Sequence, residues 1–246
     1  MNSRGARAPA LEPMTTRTLH ILSGGAALGL VRRLQPAFEA RHGCRIEANF
    51  GAVGLMREKL LAGDVCDVLI LTDALIAQLG ADGRVVAGSS RPLGVVKTGL
   101  AIKHGAPEAS VESPAALKAW LQRAGAIYVP DPDKSTAGIH FMKVLGALGL
   151  AEPLAMKLRT FPHGTAAMAA LAQAPEADAV GCTQVTEILA TPGLRVTGLL
   201  PAPYELATTY TAAVAASADD PLLARELVAV LAAPEAALER RACGIE

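Results

Sequence analysis

Short apolar runs alternate with stretches of helical periodicity along this 246-residue chain, and that alternation restricts its fold more than any other feature. Residues 18–22 (TLHIL) read as a strand, and Ser23-Gly24-Gly25 as a tight turn after it. Over residues 26–41, Leu30, Leu34 and Phe38 recur every four residues, the spacing of one helix face. Pro36 lies inside that run and is expected to kink or shorten it. Residues 45–50 (RIEANF) read as a second strand, followed by Gly51-Ala52-Val53-Gly54 and a helix over 55–62. Residues 67–71 (DVLIL) have the near-continuous apolar character of a buried parallel strand.

The β-branched content rises again at 93–102 (LGVVKTGLAI), as though a strand crosses into a second unit. There follow a helix over 117–124, a strand at 126–129 (AIYV) ending at Pro130-Asp131-Pro132, and a helix over 135–148 with Ser135 or Thr136 as its cap. A further strand-turn-helix begins at Phe161-Pro162-His163-Gly164-Thr165, and 178–182 (DAVGC) is another short strand. Residues 208–215 (TTYTAAVA) read as the return to the first unit, with closing helices over 221–232 and 234–241. The expectation is an α/β chain of two lobes, each a mainly parallel sheet flanked by helices. One lobe takes 17–92 and 204–246, the other 93–203, and residues 1–16 form a disordered tail.

Composition removes several classes of function. Apolar residues make up 51% and charged residues 19%, which excludes a disordered chain. Lys plus Arg equals Asp plus Glu at 23 each, so nothing draws the protein to nucleic acid or anionic lipid at long range. Aromatics at 3% leave few surfaces for base stacking. Cys44, Cys66, Cys182 and Cys243 lie far apart with no CxxC pair, which points to buried, inert thiols rather than a metal or disulfide framework. The opening MNSRGARAPALEPM has no apolar core of the length a secretory signal needs, and no later run reaches about 18 apolar residues. A cytoplasmic protein without a membrane span is expected.

Four of the turns share a pattern. Ser23-Gly24-Gly25, Gly51-Ala52-Val53-Gly54, Ser135-Thr136-Ala137-Gly138 and His163-Gly164-Thr165 each place small or hydroxyl residues where a strand hands over to a helix. The first turn of a helix carries unpaired N–H groups and the positive end of its dipole. Glycine allows close approach, and Ser or Thr adds a donor. Facing one another from two lobes, such turns would cage a small anion, most readily a carboxylate, in the cleft between them.

The chain resembles, from about residue 18 to 246, the periplasmic molybdate-binding proteins, a family of type II solute-binding receptors. The resemblance rests on Ser23, on FGAVGLMREKLLAGDVCDVLI at 50–70, on DPDKSTAGIH at 131–140, on ADAVGCTQV at 177–185 and on the ending APEAALERRACGIE. It implies a two-lobed fold that holds an oxyanion without metal or cofactor. The matching positions are Ser23 with Gly24, Ala52 and Val53, Ala137 beside Ser135 and Thr136, Gly164 or Thr165, and Cys182 or Thr183. The family's paired serines at the second turn are here Ala52 and Val53, and its tyrosine near the last binding strand is replaced around Cys182 and Thr183. Loss of such donors weakens a tetrahedral oxyanion site. Val53 suits a ligand with a carbon skeleton, and Lys97, Thr98 and His140 suit a carboxylate.

The resemblance extends to aconitate isomerase-like members, in which the receptor scaffold hosts a proton shift on an unsaturated tricarboxylate. Such a reaction needs one base and fixed donors for the carboxylates. His140, one helical turn beyond Ser135-Thr136, is the leading base candidate and His163 the second, with Lys97 as carboxylate partner. The alternative is the binding subunit of an ABC importer, whose partner is a permease. A nicotinamide cofactor is disfavoured: Gly24, Ala26 and Gly29 only imitate the fingerprint, and no acid ends the next strand. A GxSxG elbow and a helix-turn-helix are both missing.

Overall fold

The computed structural model describes residues 17–246; residues 1–16, read above as a tail, lie outside the described residues. The first lobe opens with β1 (Arg17–Gly24), a single 3₁₀ turn and α1 (Leu28–His42), then β2 (Cys44–Gly51), α2 (Val53–Ala62), β3 (Val68–Thr72) and α3 (Asp73–Ala81). Pro36 neither ends nor shortens α1. It sits on the exposed side, where water can satisfy the carbonyl that loses its amide partner.

The long strand β4 (Arg91–Lys103) then leads into the second lobe. That lobe contains α4 (Pro114–Arg123), β5 (Ile127–Pro130), α5 (Thr136–Ala147), β6 (Leu158–Phe161), α6 (Gly164–Ala172), β7 (Val180–Gln184), α7 (Val185–Leu189) and β8 (Leu194–Leu199). The chain returns through β9 (Ala207–Val214) and closes with α8 (Pro221–Ala232) and α9 (Ala237–Ala242).

Each lobe has a parallel centre with antiparallel strands added where the chain crosses. β1 pairs in parallel with β2 and β3, and β9 joins β3 antiparallel. In the other lobe β5 pairs in parallel with β6 and β7. β4 belongs to both: residues 91–97 pair with β9, whereas from Thr98 onward it pairs with β7 and β8. The two lobes are therefore joined through adjacent antiparallel strands, the arrangement of a hinge.

Each lobe has its own apolar packing. Leu19, Ile21, Leu69, Ile70, Val214 and Leu227 pack together in the first lobe. Leu100, Leu117, Leu121, Phe141 and Val144 fill one face of the second, and Tyr128, Met168, Leu171 and Ile188 the other. Burying each large aliphatic side chain contributes about 2 kcal/mol. All four cysteines are buried and unpaired, and burial pushes the Cys66 thiol up to about 12. Among the described residues no helix is long and apolar enough to cross a membrane.

The lobes touch across the cleft. The Gly54 N–H at the start of α2 donates to the Lys134 carbonyl at 3.2 Å, and Lys134 Nζ lies 2.8 Å from Glu58 Oε2. A Cβ on Gly54 would stand 3.0 Å from that carbonyl. The larger Gly54→Val side chain should hold the lobes apart. Small-angle scattering is expected to give a larger radius of gyration than the unsubstituted protein, with little change in melting temperature.

Candidate functional site

Four helix-opening turns converge on one cavity. Gly25, then Gly51, Ala52 and Val53, reach it from the first lobe; Ser135, Thr136 and Ala137, and Gly164, reach it from the second. Ala52 caps α2 with no side-chain hydrogen bond, and Ser135 caps α5 without one. The first turns of both helices thus carry no capping side chain, and apart from the Gly54 N–H, which the Lys134 carbonyl takes, their leading N–H groups are left for the cavity. The DPDKST segment is shaped by Asp131, whose Oδ1 accepts from the Asp133 and Lys134 N–H groups at 2.7 and 3.0 Å. α5 then packs tightly on this turn at Gly138, where any Cβ would strike the Pro130 and Asp131 carbonyls.

The remaining lining residues are Gln184, Glu187 and Tyr210, none of which the sequence reading singled out. Glu187, on the short helix α7, is only 5% exposed. Its carboxyl crosses the cleft: a Cβ on either Gly25 or Gly164 would overlap it, so both glycines are needed for it to fit. Thr183 Oγ1 donates to Glu187 Oε2, and the Gln184 and Thr165 N–H groups and the Thr165 hydroxyl also serve the carboxyl. Burial nevertheless dominates and raises it to about 7, because these four donors recover only part of the lost hydration. Tyr210 is raised too, first by burial and then by the Glu187 charge, so its phenol stays protonated.

Two buried donors in this region, Thr165 Oγ1 and Gln184 Nε2, make no well-aligned hydrogen bond among the described residues, although the Thr165 hydroxyl lies beside the Glu187 carboxyl and the Gln184 amide beside the Tyr210 phenol. Gln184 Oε1 meanwhile accepts from Thr98 Oγ1 at 3.5 Å. Donors held this loosely are ones for which a ligand oxygen can compete. The cavity is almost closed, with ≈ 10 Å³ left for the centre of a water-sized sphere. That is about one water, so any larger ligand requires the lobes to open.

The other residues named from the sequence are more scattered. Ser23 is buried and donates from Oγ to the Gly24 carbonyl at 2.9 Å, while Gly24 packs against Val53 and Tyr210. Lys97 lies 2.6 Å from Glu246 Oε2 and is away from the cavity lining. His163 caps α6, its Nδ1 accepting from the Ala166 N–H at 3.2 Å, and burial lowers its pKa. His140 lines a separate, outer part of the cleft, with Nε2 2.8 Å from the Tyr204 carbonyl. Cys182 points into the apolar core of the second lobe. Among the described residues no group of acidic, histidine and cysteine side chains is arranged to hold a metal ion.

Two lobes on a hinge, closing donor turns over a small polar cavity, define a solute-binding protein. The sequence matches the family model for bacterial extracellular solute-binding proteins over residues 19–240, and the chain belongs to that family. It is 27% identical over 239 residues to an aconitate isomerase of Pseudomonas sp., covering 94% of this chain and 88% of that one. In structure it is similar to the periplasmic molybdate-binding protein of Azotobacter vinelandii, with a TM-score of 0.77 and 20% identity over 93% of this chain and 98% of the other. The sulfate-binding protein of Mycobacterium tuberculosis H37Rv gives a TM-score of 0.71 and 16% identity over 93% and 86%.

The raised Glu187 carboxyl gives a testable pH dependence. The folded protein holds this proton up to about pH 7, whereas an unfolded glutamate releases it near 4.5. Between those values the folded state binds more protons, so this group's stabilisation, full below pH 4.5, is lost as pH rises toward 7. Glu187→Gln should therefore be more stable than the unsubstituted protein at pH 8, by up to roughly 3 kcal/mol. Thermal melts should show the difference shrinking toward pH 4.5.

Proposed function

We propose that the protein is a cofactor-independent isomerase that shifts a double bond and a proton within a small unsaturated di- or tricarboxylate. The observation that carries this reading is Glu187, a buried carboxyl raised to about 7 inside the closing cleft. A general base works best when its pKa lies near the working pH. A site built only to hold an anion gains nothing from a carboxylate in its centre, because like charges repel there. The similarity to an aconitate isomerase across most of both chains supports the same reading.

The chemistry needs one group that both removes and returns a proton. Ionised Glu187 takes the proton from the allylic carbon, and the C–H electron pair moves into the conjugated system as a dienolate. Glu187 then returns the proton at the far end of the system, and the double bond has moved. The loosely held donors Gln184 Nε2 and Thr165 Oγ1, the protonated Tyr210 phenol and the helix-opening N–H groups hold a carboxylate and the charge that develops on it. In this scheme the base is Glu187 rather than His140 or His163. His163 Nδ1 is already engaged at its helix, and His140 stands in the outer cleft.

A second reading, the binding subunit of an ABC importer for a small oxyanion or carboxylate, is favoured by the family and by the molybdate- and sulfate-binding structures. Proton NMR in heavy water with cis- and trans-aconitate separates the two. The isomerase reading expects deuterium at the allylic carbon and a second isomer, with kcat/KM rising as pH passes through about 7. Glu187→Gln should lower kcat by at least about 100-fold and leave binding within about tenfold, while His140→Asn keeps kcat. Tight molybdate binding with no exchange into any unsaturated acid would return the protein to the receptor class.

A further inference from the structure

The inner cavity accounts for one carboxylate at most, yet the cleft does not end there. Val53 and Thr136, which line the inner cavity, also line an outer chamber of ≈ 530 Å³ together with Arg57, Glu58, Asp133, Lys134, His140 and Lys143. That volume is in the range of small-molecule sites. Its charges are not balanced internally. Lys134 is held by Glu58 at 2.8 Å, which leaves Arg57 and Lys143 opposite a single acid, Asp133. Arg57 Nε is buried and has no hydrogen-bond partner among the described residues. Arg57 as a whole is half-buried and lines a chamber that shares Val53 and Thr136 with the anion cavity, and a guanidinium left short of partners there is a prepared carboxylate partner. His140 adds an imidazole at the same wall, with Nε2–H donated to the Tyr204 carbonyl.

We propose that this outer chamber is the subsite for the distal carboxylates of a polycarboxylate ligand, with Arg57 and Lys143 as its cations. One carboxylate and the reacting carbons enter the inner cavity beside Glu187, and the further carboxylates stay in the chamber. A tetrahedral oxyanion or a monocarboxylate fills the inner cavity alone and leaves Arg57 unused. The inference rests on the isomerase reading for which carbons react, but the binding preference stands apart from turnover.

The test uses tricarballylate, a saturated tricarboxylate with no double bond to move, against butyrate and molybdate, by calorimetric titration. The unsubstituted protein should bind tricarballylate at least about tenfold more tightly than butyrate. Arg57→Gln should weaken tricarballylate by about 10- to 100-fold and leave butyrate and molybdate within about threefold. Lys143→Gln, at an exposed position that cannot disturb the core, should weaken tricarballylate alone by a smaller factor. Tricarballylate binding that is absent, no tighter than butyrate, or unchanged in both variants would overturn the subsite. So would equal losses for all three ligands in Arg57→Gln. Aconitate turnover by the unsubstituted protein is measured alongside: its absence with tricarballylate selectivity intact would sink the isomerase reading and leave the subsite standing.

Discussion

A carboxyl carried into a closed cleft needs donors, and Glu187 takes its own from the lobe that bears it, while the turns of both lobes close around it. Thr183, Gln184 and Thr165 serve it from the second lobe, while Gly25 of the first makes room for it by having no side chain. The donors are fewer than water would supply, so the group remains protonatable near neutrality instead of becoming a permanent charge. Burial, hinge closure and proton affinity are in this way one property of the cleft. Opening the lobes would hydrate the carboxyl and return it toward an ordinary glutamate.

The hinge strands make that coupling possible. β4 pairs with β9 up to Lys97 and with β7 from Thr98 onward, so a small twist about that point moves whole lobes. Gln184, at the end of β7, meets Thr98 at the crossing and leads directly into α7 and Glu187. The Gly54 N–H to Lys134 contact and the Glu58–Lys134 pair then meet across the mouth. An exposed ion pair of this kind contributes little by itself, about 0–1 kcal/mol, which suits a latch that must release.

Much of this arrangement was legible in the residues. The alternation of strand and helix foretold the α/β lobes, the crossing at 93–102 foretold β4, and each of the four small-residue turns reaches the cavity or its wall. What escaped was the group at its centre. Glu187 lies on a five-residue helix, too short to show a helical period, and QVTEIL reads as an ordinary surface segment. The one available signal was that GCTQVTE repeats the strand-then-hydroxyl pattern a fifth time, with an acid one turn on. Tyr210 and Gln184 were hidden similarly, because pointing into the cleft is a property of strand pairing rather than of local sequence. Lys97 misleads for the converse reason: its partner, Glu246, is 149 residues away and is brought to it by the C-terminal backbone joining β4 at Val95.

The proposed turnover and the response of the cleft to closure both depend on the proton affinity of one side chain. Carbon-13 NMR of protein labelled at glutamate Cδ, with Glu187→Gln used to assign the resonance, measures that affinity directly. The account predicts a single carboxyl titrating at about 7, apart from the bulk of the glutamates. A Glu187 resonance that titrates with the others, near 4.5, would contradict it and leave the cleft without a base.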